Sequence, residues 1–168
     1  MYHYCPKHAK MKITIIQVGK TGKKGFKEAE NEYLKRLSAF ASVNTVTVKE
    51  YTAPKGNNEA GIKLVKAKEG EQILAKIPTK TYIIILDERG EQLKSTEFAE
   101  FLAKKSQTES NITFVTGGCY GLDPKILQKA DKKLSFSKFT FTHEMIRILL
   151  LEQLYRAFTI QKGKKYHY

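Results

Sequence analysis

The stretch ITFVTGGCYGLD, residues 112–123, carries the main clue to this fold. Ile-Thr-Phe-Val reads as a buried strand, and a turn with glycines at 117, 118 and 121 follows at once. Glycine permits positive φ and close backbone approach, so this turn either bends sharply or admits something against the backbone. In an open parallel sheet, ligands sit outside the carboxyl ends of the strands. The turn has neither the GxGxxG spacing of a dinucleotide site nor the Lys and hydroxyl of a P-loop. The glycines at 19, 22 and 25 in MKITIIQVGKTGKKG lack that spacing too, which argues against an ATP or NAD enzyme.

Upstream of this stretch, YIIIL at 82–86 is apolar throughout, as a strand covered on both faces should be. It turns polar abruptly at LDERGEQL, marking a second strand end. Ser95 or Thr96 is expected to cap a helix that turns Phe98, Ala99, Phe101 and Leu102 inward. Strand, helix, strand is the pattern of a parallel sheet with helices on its faces. Further upstream, MKITIIQVG at 11–19 predicts a first strand. Phe26, Ala29, Tyr33 and Leu37 predict a helix over 24–39, and NTVTVKE at 44–50 a half-exposed strand. Asn58 predicts the cap of a helix running to about residue 75. Downstream, 122–130 predicts a short helix. LSFSKFTFT at 134–142 reads as a strand or a Ser/Thr-rich ligand loop, and 144–159 as a long helix. That last helix is apolar nearly all round and wants cover on two sides, for which a second subunit is expected.

The chain has 168 residues, enough for one domain, and 30 Lys/Arg against 17 Asp/Glu give a net charge of +13. So large an excess points to a polyanion, nucleic acid being the commonest. From Cys119 onward ten Lys/Arg face four Asp/Glu, so the excess accompanies the glycine turn. No apolar run is long enough to span a membrane, and the first residues lack the apolar segment of a signal peptide. Cys5 and Cys119 make no disulfide framework, which fits a reduced cytoplasmic protein. His3, Cys5 and His8 are the one conceivable zinc set, and no metal is expected. Residues 1–10 read as a disordered extension ahead of a single domain over 11–168.

The matching stretches are VGK near residue 18, LDERGEQLKSTEFAEFL at 86–102, ITFVTGGCYGLD at 112–123, LSFSKFTFTHEMIRILLLEQLYRAFTI at 134–160 and YH at 166–167. Through these the chain resembles the SPOUT methyltransferases that methylate N3 of a pseudouridine in large-subunit ribosomal RNA. The resemblance covers 11–168. It implies an α/β parallel-sheet fold with a deep C-terminal trefoil knot, a homodimer, S-adenosylmethionine as cofactor and ribosomal RNA, in an assembled ribosome, as partner. It further implies cofactor contacts from Leu86, Gly118, Phe136, Ser137, Lys138, Phe139, Thr140 and Phe141. Cys119 and Thr142 stand where that family usually has proline, and the chain ends YHY where a basic residue more often follows the histidine.

His143, Arg147, Arg156, Tyr166 and His167 are the catalytic candidates. Arg147 and Arg156 are nine residues apart, about 14 Å along one helix, so they cannot serve one atom. Plain pairing of Glu144 with Arg147 and of Glu152 with Arg156 is the structural alternative. His143 has a structural alternative at the helix start. His167 sits in a basic tail where no fold element calls for an imidazole; near neutral pH it could accept the N3 proton, with Tyr166 positioning the base. The resemblance points the same way, its Tyr-His pair closing over the substrate site. Lys162, Lys164 and Lys165, with Lys20, Lys23 and Lys24, form the expected RNA footprint. Methylation of another ribosomal or transfer RNA position, or a non-enzymatic RNA-binding module, remains the alternative reading.

Overall fold

The computed structural model describes residues 10–53 and 58–163. The order is β1 (Lys12–Val18), α1 (Lys24–Leu37), β2 (Ser42–Val48), α2 (Glu59–Lys76), β3 (Tyr82–Gln92), α3 (Ser95–Thr108), β4 (Asn111–Thr116), α4 (Pro124–Leu127), β5 (Lys132–Ser135) and α5 (His143–Gln161). The five strands form one sheet in the order β2-β1-β4-β3-β5, and all the pairings between them are parallel.

Alternation along the strands divides the core into two layers. Ile13, Ile15, Ile84, Ile112 and Phe114 face a cluster that includes Leu37 of α1, Phe98 and Leu102 of α3, and Leu150 and Leu154 of α5. Ile16, Val18, Ile85 and Val115 face Ile73 of α2 and Ile126 of α4. Each such side chain contributes about 1.5–3 kcal/mol by leaving water. The central strands are buried on both faces, as YIIIL and ITFV require, while β2 is a half-exposed edge. α5 packs against both α1 and α3, and Ile148 and Leu149 remain half-buried on its flank. Asn58 caps α2 as expected, accepting from Gly61 N–H at 2.7 Å.

Tertiary partners moved several expected boundaries. β3 does not end at Leu86: Glu91 and Gln92 pair with Leu134 and Ser135 of β5, and the register jump leaves residues 87–90 as an irregularity. Gly90 is required there, because a Cβ would stand 2.5 Å from the backbone carbon of Leu134. Neither Ser95 nor Thr96 caps α3. The cap is Lys94, whose N–H donates to Glu97, while the Ser95 hydroxyl is drawn to Gln153 of α5. α4 is shorter than 122–130 because Leu122 enters the core and Asp131 turns back to β3, its carboxylate accepting from Ile83 N–H. The 134–142 stretch divides, only its start belonging to β5. His143 lies inside α5, whose cap is Thr142. α1 stops at Leu37, two residues before the expected end, the chain turning there to enter β2.

Candidate functional site

Leu86, Thr116 and Leu134 stand side by side across β4, β3 and β5, at the carboxyl end of the sheet. Beyond them opens a cleft of about 900 Å³. Residues 87–90, the glycine turn, residues 135–142 and the first turn of α5 enclose it.

The glycine turn answers the question its sequence raises in two ways. Gly121 has φ +78° and carries the bend, its N–H donating to Gly118 O. Gly118 serves contact: a Cβ there would lie 2.9 Å from Glu69 Oε2 and 3.1 Å from Val18. The backbone at 118 therefore rests directly on α2 while its other side lines the cleft. Glu69 is 2% exposed, accepts from Tyr51 N–H at 3.0 Å through Oε1, and has no partner for Oε2 among the described residues. Burial, and less so Glu50, push its carboxyl above the ordinary range.

The 135–142 loop is held by its own hydroxyls. Ser135 Oγ donates to Ser137 O, and Ser137 Oγ accepts from Phe139 N–H at 3.0 Å. This leaves Phe139 80% exposed and Phe141 42% exposed at the cleft mouth, an unusual placement for aromatics without a ligand or partner to cover them. Opposite, Arg89 grips Asp87 through two bonds of 3.0 and 3.1 Å and holds that carboxyl low. Burial, with Glu50 and Glu69 nearby, raises the Cys119 thiol, so it is poorly suited to nucleophilic work.

Of the cofactor residues expected from sequence, Leu86, Gly118, Phe136, Ser137, Phe139, Thr140 and Phe141 all line this cleft. Lys138 is exposed and does not, because the loop turns its side chain outward between two lining residues. His143 lines the cleft from the start of α5. Arg147 does not: it is 1% exposed and donates to Val18 O and, at 3.1 Å, to Thr21 Oγ1. The Glu144–Arg147 pairing does not form either, since Glu144 accepts from Gly22 N–H, which holds its carboxyl low. Arg156 lies farther along α5 and does pair with Glu152, at 2.9 Å through Nε. Lys162 reaches over the Phe40 ring, 4.7 Å from its centroid. Tyr166, His167, Lys164 and Lys165, like His3, Cys5 and His8, lie outside the described residues. Among the described residues no group of three His, Cys, Asp or Glu side chains could hold a metal, and no helix is long and apolar enough to cross a membrane.

Three further residues were missed. Thr116 Oγ1 is buried at the cleft with no partner among the described residues, and Lys66 reaches the cleft from α2. No local pattern marks either one. Glu69 had a signal, the Glu-Gly pair inside a helix, since a glycine there implies close packing; a Cβ on Gly70 would stand 2.8 Å from Asp123. A nucleoside-sized ligand fits this site: an unfilled hydroxyl, backbone approach at Gly118 and uncovered aromatic faces meet in one space of suitable size.

The model of a family described as predicted SPOUT methyltransferase matches residues 11–167. A protein of Carboxydothermus hydrogenoformans named ribosomal RNA large subunit methyltransferase H is 45% identical over 94% of this chain and 99% of its own length. A protein of Exiguobacterium with the same name is also 45% identical, over 94% and 99%. The solved structure of a probable methylase family protein from Haemophilus influenzae superposes with a TM-score of 0.52 at 18% identity, covering 94% of this chain and 70% of that one.

Proposed function

Since the chain belongs to the SPOUT methyltransferase family, we propose that it methylates N3 of a pseudouridine in large-subunit ribosomal RNA, with S-adenosylmethionine as donor. The observation that carries this reading is the convergence of Leu86, Gly118, Phe136, Ser137 and residues 139–141, distant in sequence, on one cleft. Two relatives named for large-subunit ribosomal RNA methylation, alike over nearly their whole lengths, support the substrate.

When bound, the cofactor would supply an electrophilic methyl carbon on a sulfonium whose sulfur keeps the bonding pair and leaves as a neutral thioether. Leu86, Phe136 and Phe141 offer the apolar walls for its adenine, while the backbone of Gly118 and the Ser137 and Thr140 hydroxyls offer polar contacts. Catalysis is then largely placement, holding N3 in line with the methyl carbon. N3 must lose its proton as the new bond forms, and His167 accepts it while Tyr166 positions the base. His143 sits at the cleft edge, on the substrate's side. Arg147 acts through the loop it fixes, and Arg156 through RNA phosphate. A trefoil knot would form the cofactor loop, and pairing of two protomers over the half-buried flank of α5 would bring a basic surface beside each cleft.

The test supplies labelled cofactor to large ribosomal subunits that lack the modification. Label at N3 of a pseudouridine is expected; label confined to another ribosomal or transfer RNA position would overturn the target, and none anywhere would favour a binding module. Deleting residues 166–168, or H167A alone, should lower transfer at least about tenfold with cofactor affinity kept. Full activity in both would remove the tail from the chemistry.

A further inference from the structure

At the same end of the sheet a second cleft, of about 420 Å³, opens between α1, β1, β2 and α5. Its floor changes character along the strands. Ile13, Ile15 and Val43 meet the helix layer with apolar side chains. Two to four residues farther on, the same face presents Gln17, Thr45 and Thr47. Gln17 Nε2 donates to Thr47 Oγ1 at 3.2 Å, and both threonines remain exposed. Ile15, Leu34 and Leu151 leave an apolar patch beside these polar groups.

The charge around this cleft is mostly positive. Lys20, Lys27 and Arg147 line it against one carboxylate, Glu30, which already accepts from the Thr21 hydroxyl at 2.6 Å. Arg147 is buried, and its Nε has no hydrogen-bond partner among the described residues. The two clefts share a wall. Glu144 lines the cofactor cleft and accepts from Gly22 N–H, and Arg147 lines the second and donates to Thr21. Those two residues are about 4.5 Å apart along α5.

We propose that this second cleft holds a nucleotide of the RNA substrate flanking the one that is methylated. The inference rests on the methyl-transfer reading and adds to it a subsite that fixes which neighbour is read. The apolar patch accepts a base face, while Gln17, Asn31 and the threonines meet its edge. Lys20 and Lys27 take the adjoining phosphates. Unstacked bases in RNA are recognised by such a combination of apolar face and amide or hydroxyl edge, and lysines add a salt-dependent phosphate term.

The test uses two full-length variants whose changes lie on exposed positions: Lys27→Ala with Asn31→Leu on α1, and Thr45→Val with Thr47→Val on β2. Methylation kinetics on unmodified large ribosomal subunits, cofactor affinity by calorimetry and sedimentation are measured together. The expected result is a KM for the particle raised about tenfold in each variant, with cofactor affinity unchanged. An unchanged KM in both variants, with an active wild type, would overturn the subsite and leave the methyl-transfer reading intact. A raised KM accompanied by a smaller sedimenting species would also overturn it, since the cleft would then be a contact between protomers. Should the wild type fail to methylate the particle, the methyl-transfer reading falls, and co-sedimentation with the particle decides the subsite: weaker binding of the variants upholds it, and equal binding overturns it.

Discussion

The turns that leave β1 and β4 lie side by side at one end of the sheet and each carries a positive-φ glycine, Gly19 and Gly121, yet they differ in what else holds them. The turn after β1 is held by charge from afar: Arg147 donates to Val18 O and Thr21, and Glu144 accepts from Gly22 N–H. The turn after β4 is held by the lack of side chains, Gly118 lying against Glu69 and Gly121 carrying a positive φ. The first is a polar wall that needs its partners. The second is a bare backbone surface that a side chain would spoil.

The largest effect expected is on the wall. Arg147→Met removes two bonds and leaves the Val18 carbonyl short of a buried donor, which should cost roughly 2–3 kcal/mol in urea unfolding. A loss below about 0.5 kcal/mol would mean that the guanidinium is not fixing this turn. On the bare side, Gly118→Ala forces Glu69 or Val18 to give way, at about 1–2 kcal/mol. Cofactor affinity should fall more than stability does, because the backbone that moves lines the cleft. Equal losses in both, measured by calorimetry and thermal unfolding, would blur the distinction between wall and surface.

A smaller effect tests the start of α5, common to both regions. Thr142 Oγ1 accepts from Met145 N–H at 3.3 Å, so Thr142→Ala should cost about 1 kcal/mol. Retained stability with altered cofactor binding would point to a ligand role for the hydroxyl instead.

The last and smallest prediction concerns pH. The Glu69 carboxyl is raised from its ordinary value of 4.5 by burial. The folded state therefore holds this proton more tightly than the unfolded chain does. The resulting stability is present below pH 4.5 and is lost as pH rises through the raised value. Glu69→Gln cannot titrate, so its melting temperature should lack this decline. Relative to the wild type, the variant should gain as pH climbs from acid towards neutral; parallel curves would show that the fold does not raise this carboxyl.

Legibility differed between these regions for a physical reason. The glycines at 117, 118 and 121 announced close approach or a bend in the sequence itself, because only backbone freedom explains them there. The strands YIIIL and ITFV and the cap at Asn58 were equally local and were found where expected. The wall was not legible. Glu144 and Arg147 looked like a pair at i, i+3, but Glu144 goes to Gly22 and Arg147 to Val18 and Thr21. Nor could local pattern show that Lys138 would face outward while Phe139 and Thr140 face the cleft.

By itself, the sequence determined the alternation of strands and helices, the apolar faces that form two core layers, the basic excess and the glycine turn, since each depends on residue type and short-range spacing. Tertiary structure alone decided that β3 runs on to Gln92, that Ser95 serves Gln153 rather than a cap, and that Glu69 lies beneath Gly118. Ser95 had a local role on offer, the cap, and took a distant partner, while β3 and Glu69 were placed by elements far along the chain. Which offer wins depends on what the packed layers bring within hydrogen-bonding reach, and that distance is not written in the spacing of the chain.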